Sequence, residues 1–110
     1  MSSHVVFTER QGSLTARITR DIDHHTAEGL RRAIDERLFY ERPRLLVLDF
    51  GSVGFMDSSG IALILGRAEV AAALSCSVRL VGLSRGLMKL VRLSGIERVR
   101  NITVREYSEQ

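Results

Sequence analysis

Residues 55–60 read FMDSSG and connect an apolar run, Leu45 to Phe50, to a helix-like run, Ile61 to Leu74. A junction of this kind places serine hydroxyls beside unpaired backbone N–H groups and the positive end of a helix dipole. It suits three roles: a capping serine, a bound anion, or a serine that is phosphorylated. The junction alone favours the capping serine. A choice among the three roles needs evidence from the rest of the chain.

The chain has the size and composition of one small soluble domain. Its 110 residues suffice for a single core. An apolar fraction of 45% with 26% charged residues is typical of a globular protein and excludes a disordered one. We therefore expect one domain over residues 1–110, with a core over about 4–104 and a polar tail over 105–110.

The sequence predicts neither a membrane segment nor a secretion signal. No apolar run approaches the ~20 residues needed to cross a bilayer. The segment from Met1 to His4 lacks the charged and apolar regions of a signal peptide. We expect a cytoplasmic protein with no membrane contact. The single Cys76 excludes an internal disulfide.

The arginine-rich composition does not by itself predict nucleic-acid binding. The pI is about 9.7, yet the net charge is only +3, and the arginines are scattered from Arg10 to Arg105 among 13 acidic residues. No basic run of five residues occurs, and aromatic residues do not alternate with arginine. We expect no direct contact with nucleic acid.

The first part of the chain predicts a hairpin followed by a helix. Apolar and polar residues alternate from Val5 to Glu9 and from Ser13 to Thr19, which indicates two strands joined at Gln11-Gly12. Thr26 is placed to cap a helix that runs to about Tyr40, and Pro43 ends that segment. The apolar stripe of this helix consists of Ala27, Leu30, Ile34 and Leu38.

The second part predicts alternating strands and helices. Leu45 to Leu48 is apolar throughout, which is typical of a strand covered on both faces. The following elements are a helix over about Ser59 to Leu74, a strand from Val78 to Val81, a helix from Leu83-Ser84 to Leu93 with Gly95 as its C-cap, and a strand from Val99 to Val104. The stripe of the longer helix consists of Ile61, Ile64, Leu65, Ala68 and Ala72. The order β-β-α-β-α-β-α-β predicts an α/β domain, a mixed sheet of about five strands with helices packed against it.

The polar residues before the first helix form no known catalytic or metal-binding pattern. Asp21, Asp23, His24 and His25 make a metal site conceivable, but adjacent histidines do not easily chelate one ion and the spacing matches no common site. The glycines between residues 51 and 60 form no phosphate-binding loop. Met56 stands where a nucleophile elbow needs glycine. We expect no metal, no cofactor and no enzymatic activity.

Three parts of the sequence resemble the STAS domain family, and among its members the anti-sigma-factor antagonists. FMDSSG at 55–60, continued by ILGR at 64–67, is similar to the family's phosphorylation-site signature. DHHTAE at 23–28 resembles the loop and helix start of the sporulation branch, whose members antagonise the anti-sigma-F factor. VGLS at 81–84 and LSGI at 93–96 resemble the closing strand, helix and turn of the family.

The resemblance implies that Ser58 is a switch. The unphosphorylated protein, a monomer when free, would bind an anti-sigma factor that is also a serine kinase and so release the sigma factor. Phosphorylation of Ser58 by that kinase would end binding, and a serine phosphatase would restore the active form. The partner-binding residues it implies are Asp23, His24, His25 and Thr26 in one segment and Asp57, Ser58, Ser59, Gly60 and Ile61 in the other. Because both segments precede helices that pack on one sheet, we expect them to lie close together.

Two other functions are compatible with the sequence. One is a STAS regulatory module that binds a nucleotide or another small anionic ligand at Ser58, and the other is a structural scaffold subunit. Only the antagonist demands a single phosphate on Ser58, so incubation with an anti-sigma kinase and ATP distinguishes the three.

Overall fold

Strands and helices alternate along residues 4–105, the part of the chain that the computed structural model describes. The strands are β1 (Val5–Arg10), β2 (Ser13–Ile18), β3 (Leu45–Asp49), β4 (Ser77–Val81) and β5 (Ile102–Val104). The helices are α1 (His24–Glu41), α2 (Ser58–Ala73), α3 (Arg85–Ser94) and a 3-10 turn, Ile96–Arg98. The predicted order of elements is confirmed. Of the predicted polar tail, only Arg105 lies within the described residues.

The five strands form one mixed sheet in the order β1-β2-β3-β4-β5, which confirms the predicted fold class. β1 and β2 are antiparallel, and every other neighbouring pair is parallel. The predicted hairpin turn is confirmed at Gln11 and Gly12, whose φ angles are 50° and 87°. Two consecutive positive φ angles match the right-handed twist of the strands, and glycine adopts such an angle without strain.

All three helices cover the same face of the sheet. Parallel crossovers are right-handed, and β2 to β5 follow one another in spatial order, so each successive helix lies on the same side. On that face Leu14, Leu46 and Leu80 are fully buried. Leu45 and Val47 alternate to the other face and are only half-buried. The prediction that β3 is covered on both faces was therefore wrong; an unbroken apolar run does not reveal that only one face receives helices.

The buried face of α2 differs from the predicted apolar stripe. Leu65 is 40% exposed and Ala72 is exposed, although both were predicted to face the core. The buried residues are Gly60, Leu63, Ile64, Arg67, Ala68 and Ala71. This set keeps the three- and four-residue spacing of a helix face but includes a glycine and an arginine. The predicted stripe of α2 was chosen by apolarity alone and was therefore displaced around the helix axis toward Leu65.

Helix α1 begins three residues earlier than predicted, because its cap is Asp23 rather than Thr26. The Asp23 Oδ1 atom accepts hydrogen bonds from the backbone N–H groups of His25 at 2.8 Å and Thr26 at 3.0 Å. The Thr26 hydroxyl in turn accepts one from the Asp23 N–H at 3.0 Å. The two residues thus cap the helix reciprocally, with Thr26 as its third residue. Leu30, Ile34 and Leu38 are buried as predicted.

The last strand of the sheet is shorter than predicted. Ser84 caps α3 by accepting a hydrogen bond from the Leu87 N–H at 3.2 Å, and Gly95 ends the helix with a φ of 80°, as predicted. The 3-10 turn that follows uses residues up to Arg98, so β5 contains only Ile102–Val104 instead of the predicted Val99–Val104. Within residues 4–105 no helix combines the length and apolarity needed to span a bilayer.

The cap at Asp23 makes stability depend on pH. Hydrogen bonding, first from the Thr26 N–H, lowers the pKa of Asp23 below its ordinary value of 3.8. A lowered folded-state pKa contributes stability that is present above the ordinary value and is lost as pH falls through the folded one. We expect the urea midpoint of the wild type to exceed that of Asp23→Asn by a constant amount from about pH 7 to about pH 5. Below about pH 4 the difference should shrink.

Asn is the appropriate replacement because its side-chain oxygen can still accept the capping hydrogen bonds, but it carries no charge and does not titrate. Every other carboxylate is common to the two proteins, so the comparison isolates Asp23. A difference in midpoint that stays constant down to about pH 2 would contradict the assignment.

Candidate functional site

The loops that precede α1 and α2 are joined by backbone hydrogen bonds. The Ile22 N–H donates to the Phe55 carbonyl at 3.0 Å, and the Asp57 N–H donates to the Ile22 carbonyl at 3.2 Å. Ile22 and Met56 thereby form an isolated parallel bridge beyond the ends of β2 and β3. The structure thus brings together the two segments that were expected to be close, and we call this surface the joined-loop edge (residues 21–26 and 54–61).

Asp21 fastens the same two loops through its side chain. Its Oδ1 atom accepts hydrogen bonds from the backbone N–H groups of Gly54 at 2.9 Å and Phe55 at 3.1 Å. The sequence had suggested Asp21 only as a conceivable metal ligand, because contacts across more than 30 residues leave no local signal. Within residues 4–105 no group of three or more His, Cys, Asp or Glu side chains is arranged to hold a metal ion.

Asp57, and not a serine, caps α2. Its Oδ1 atom accepts a hydrogen bond from the Ser59 N–H at 2.8 Å, and its carbonyl accepts one from the Gly60 N–H at 2.9 Å. The helix begins at Ser58, one residue before the predicted start. The interpretation of this junction as a capping serine was therefore wrong. Because the aspartate satisfies the helix end, the Ser58 hydroxyl is not needed for capping.

The two adjacent serines occupy different environments. Ser58, the first residue of the helix, is exposed, and its hydroxyl has no hydrogen-bond partner among residues 4–105. Ser59 is half-buried beside α1. A modifying enzyme has to reach the oxygen and enclose it. Of these two serines, Ser58 is the one that offers such access.

Gly60 and Ile61 belong to the packing beneath Ser58. Gly60 is buried, and a Cβ atom there would lie 2.6 Å from the Met56 Sδ atom and 3.0 Å from its Cβ and Cγ atoms. Only glycine therefore lets the first turn of α2 rest on Met56. Ile61 is half-buried against the core. Both residues thus pack the first turn of α2, which carries Ser58, against the rest of the domain.

Exposed apolar side chains flank Ser58, and the sequence had not identified them as part of the site. Phe55, in the preceding loop, is 56% exposed, and Leu65 is 40% exposed. Ala62 and Leu65 lie four and seven residues after Ser58, which places all three on one helix face. The spacing from Ser58 was a usable signal, but Leu65 had been assigned to the core. Apolar groups of this kind beside a polar centre are typical of a protein-binding surface.

The remaining predicted residues lie at the start of α1. His24 and His25 are exposed, with their rings edge to face and their centroids 5.5 Å apart. The Thr26 hydroxyl donates to the Asp21 carbonyl at 3.0 Å and is thus engaged within the loop. The capping bonds to Asp23 use its Oδ1 atom, and its Oδ2 atom has no hydrogen bond to any residue that the structure describes.

Comparison with known proteins finds relatives that match most of this chain. The anti-sigma F factor antagonist of Paenibacillus polymyxa is 26% identical over 102 residues, which cover 93% of this chain and 87% of the relative. That of Lysinibacillus sphaericus is 29% identical over 84 residues, which cover 76% and 72%. The anti-sigma factor antagonist SpoIIAA in its unphosphorylated form has a TM-score of 0.67 and 26% identity, covering 89% of this chain and 99% of that one.

A more distant solved structure shows that the fold itself is widely shared. The anti-sigma factor antagonist from Mycobacterium paratuberculosis has a TM-score of 0.76 at 19% identity, covering 89% of this chain and 82% of that one. The sequence pattern of the STAS domain matches residues 4–107. Since that match spans nearly the whole chain, the protein belongs to the STAS domain family.

Proposed function

We propose that this protein is an anti-sigma factor antagonist. In its unphosphorylated form it binds an anti-sigma factor that is also a serine kinase, and this binding releases a sigma factor. Phosphorylation at Ser58 switches it off. The observation that carries the proposal is the exposed Ser58 hydroxyl, without a hydrogen-bond partner in the described residues, at the centre of the joined-loop edge.

The relatives support this function. Two of them are anti-sigma F factor antagonists. The related SpoIIAA has been solved in an unphosphorylated and a phosphorylated form. By the same similarity we propose that the sigma factor concerned acts in sporulation and that the protein works in the cytoplasm, as a monomer when free.

The composition of the joined-loop edge suits a protein partner. Phe55 and Leu65 supply apolar area beside Ser58, and the Asp23 Oδ2 atom supplies a charge that can pair with a partner's Arg or Lys. Apolar contacts give affinity, whereas a charge at the rim steers encounter and fixes orientation. The protein is in this scheme a substrate and a ligand, with no catalytic residue of its own. A serine phosphatase would return it to the binding form.

A phosphate on Ser58 would act locally. It adds a charge of about −1.5 to −2 next to the Asp57 carboxylate. At the first position of α2 the helix dipole offsets part of that repulsion, by roughly 0.3–1 kcal/mol. An interface fitted to a neutral hydroxyl would then meet repulsion and the cost of removing water from a dianion. Binding is lost while the domain stays folded.

Phosphorylation should be confined to Ser58. Incubation with a kinase-type anti-sigma factor from the same organism and ATP should add one phosphate, which mass spectrometry locates. Ser58→Ala should abolish the modification, remain folded and bind the anti-sigma factor constitutively. Ser59→Ala is the matched control and should still be phosphorylated at Ser58, because Asp57 caps the helix through the Ser59 N–H. A phosphate found mainly on Ser59 would refute the assignment, and no phosphate at all would favour a ligand-binding module or a scaffold subunit.

Phosphorylation should change binding and not the fold. We expect the circular dichroism spectra and melting temperatures of the two forms to be nearly equal, because the dipole opposes repulsion from Asp57. The dissociation constant for the anti-sigma factor should rise at least ten-fold, about 1.4 kcal/mol. Asp57→Asn should restore part of the binding of the phosphorylated form, since Asn keeps the cap and removes the like charge. A large loss of helicity on phosphorylation would show instead that the switch melts α2.

Removing the charge of Asp23 should weaken binding in a salt-dependent way. Asp23→Asn is preferable to Asp23→Ala, because the alanine would also remove the cap of α1. The loss of affinity should be larger at about 0.05 M than at about 0.5 M salt, since salt screens exposed charge pairs. Glu97→Gln, on the exposed 3-10 turn, is the control and should leave affinity unchanged. Equal affinities of wild type and Asp23→Asn at both salt concentrations would exclude Asp23 from the interface.

A further inference from the structure

A groove of about 310 Å³ separates α1 from α2 next to the joined-loop edge. One end is lined by His24 and Ser59, which directly follow Asp23 and Ser58 in the chain. Small and apolar side chains form its walls: Ala27, Ala62 and Leu63. A protein that contacts the joined-loop edge can therefore also reach into this groove.

The groove contains a buried arginine. Arg67 is only 5% exposed, and its Nε atom lies 2.7 Å from the Asp35 Oδ1 atom. The contact is an ion pair without hydrogen-bond geometry, because neither the Nε nor the Oδ1 atom has a hydrogen-bond partner within residues 4–105. The two terminal nitrogens of Arg67 make no hydrogen bond within those residues either. Burial lowers the pKa of Arg67, and the nearby Asp35 opposes that change. A guanidinium has five N–H donors, so most of its hydrogen-bonding capacity is unused here. Burying a cation in this way is costly unless further acceptors reach it.

The charges around the groove sum to one positive charge. Arg31 and Arg32 both contact Glu28, and Arg31 also lies 3.7 Å from Asp35. Of these groups, Arg31 and Glu28 line the groove together with Arg67, so its lining carries two guanidinium groups and one carboxylate. A single carboxylate would neutralise the excess, and its two oxygens match the two terminal nitrogens of a guanidinium. A phosphate dianion would exceed that charge and would be repelled by the Glu28 and Asp35 carboxylates.

We propose that this groove receives one Asp or Glu side chain of the anti-sigma factor, held by the terminal nitrogens of Arg67. The apolar walls accommodate the methylene groups of that side chain. This inference rests on the proposed function and adds the partner's chemistry to it. The interface then has two charge pairs of opposite polarity, with Asp23 supplying the negative charge and Arg67 the positive one. Opposite polarities at two points fix the orientation of the partner.

A glycine allows the groove to be filled without disturbing the ion pair. Gly66 lines the groove, and a Cβ atom built there meets nothing within 4 Å. Gly66→Met should therefore fold normally and occupy the space. Gly29, on α1, also has open space around it but does not line the groove, so Gly29→Met is the matched control. Titration calorimetry against the kinase-type anti-sigma factor should give at least ten-fold weaker binding for Gly66→Met and less than a two-fold change for Gly29→Met.

A second variant tests the arginine itself. Asp35→Asn combined with Arg67→Met removes both charges of the ion pair together, which proteins commonly tolerate. It should bind at least ten-fold more weakly than the wild type, whereas Arg100→Gln, in an exposed turn at the opposite end of the sheet, should bind normally. Circular dichroism and melting curves establish that each variant is folded. If Gly66→Met does not fold, the binding affinity of the double variant tests the groove proposal.

The partner's side chain can then be found by neutralising the exposed Asp and Glu residues of the anti-sigma factor one at a time. One of these changes should weaken binding to the wild type and have no further effect on binding to the double variant. Folded variants that bind as tightly as the wild type would overturn the groove proposal alone. A wild-type protein that does not bind the anti-sigma factor would overturn the proposed function, and the groove proposal with it.

Discussion

The parallel pairing of Ile22 with Met56 is the constraint on which the site depends. It continues the pairing of β2 with β3 beyond the strand ends, although the two loops differ in length. The turn closed by the Val53 N–H and the Phe50 carbonyl, at 3.0 Å, absorbs the extra residues of the second loop. Asp21 then fastens that loop from the side. Because α1 and α2 both begin from this junction, their first turns cannot shift independently, and Asp23 and Ser58 keep a fixed relation.

At the starts of α1 and α2 the capping side chains are aspartates, and the serine proposed to be phosphorylated is not one of them. The Asp23 side chain accepts hydrogen bonds from two N-terminal N–H groups of α1, and the Asp57 side chain accepts one from α2, so these groups need no serine hydroxyl. Ser58 can therefore be modified without removing a bond that holds its helix. The arrangement also places Asp57 next to any phosphate on Ser58, so the cap itself supplies part of the proposed repulsion. A serine in place of Asp57 would still cap the helix, but it would supply no repulsion to a phosphate on Ser58.

Periodicity predicted the elements of this fold well because they depend on local patterns. The hairpin at Gln11-Gly12, the stripe of α1 and the C-cap at Gly95 are all visible within a few residues. The sequence failed where a residue's environment is set from a distance. Arg67 is buried because Asp35, on another helix, pairs with it, and no count of apolar residues reveals that. Leu65 was consequently placed in the core, and the exposed face beside Ser58 was overlooked.

One phosphate on Ser58 would weaken the proposed interface at two places, the joined-loop edge and the groove. Ser59 lines the groove that contains Arg67. A phosphate on Ser58 would therefore stand one residue before a residue that lines the groove. If a partner's carboxylate enters that groove, it must approach the phosphate as well as the guanidinium. At physiological ionic strength charges are screened over about 8 Å, and partly buried charges are screened less, so the repulsion would be felt. The phosphate would then oppose the incoming carboxylate directly, in addition to the effect of Asp57. Since the helix dipole stabilises the phosphate in the free protein but offers nothing to the partner's carboxylate, modification penalises the complex and not the fold.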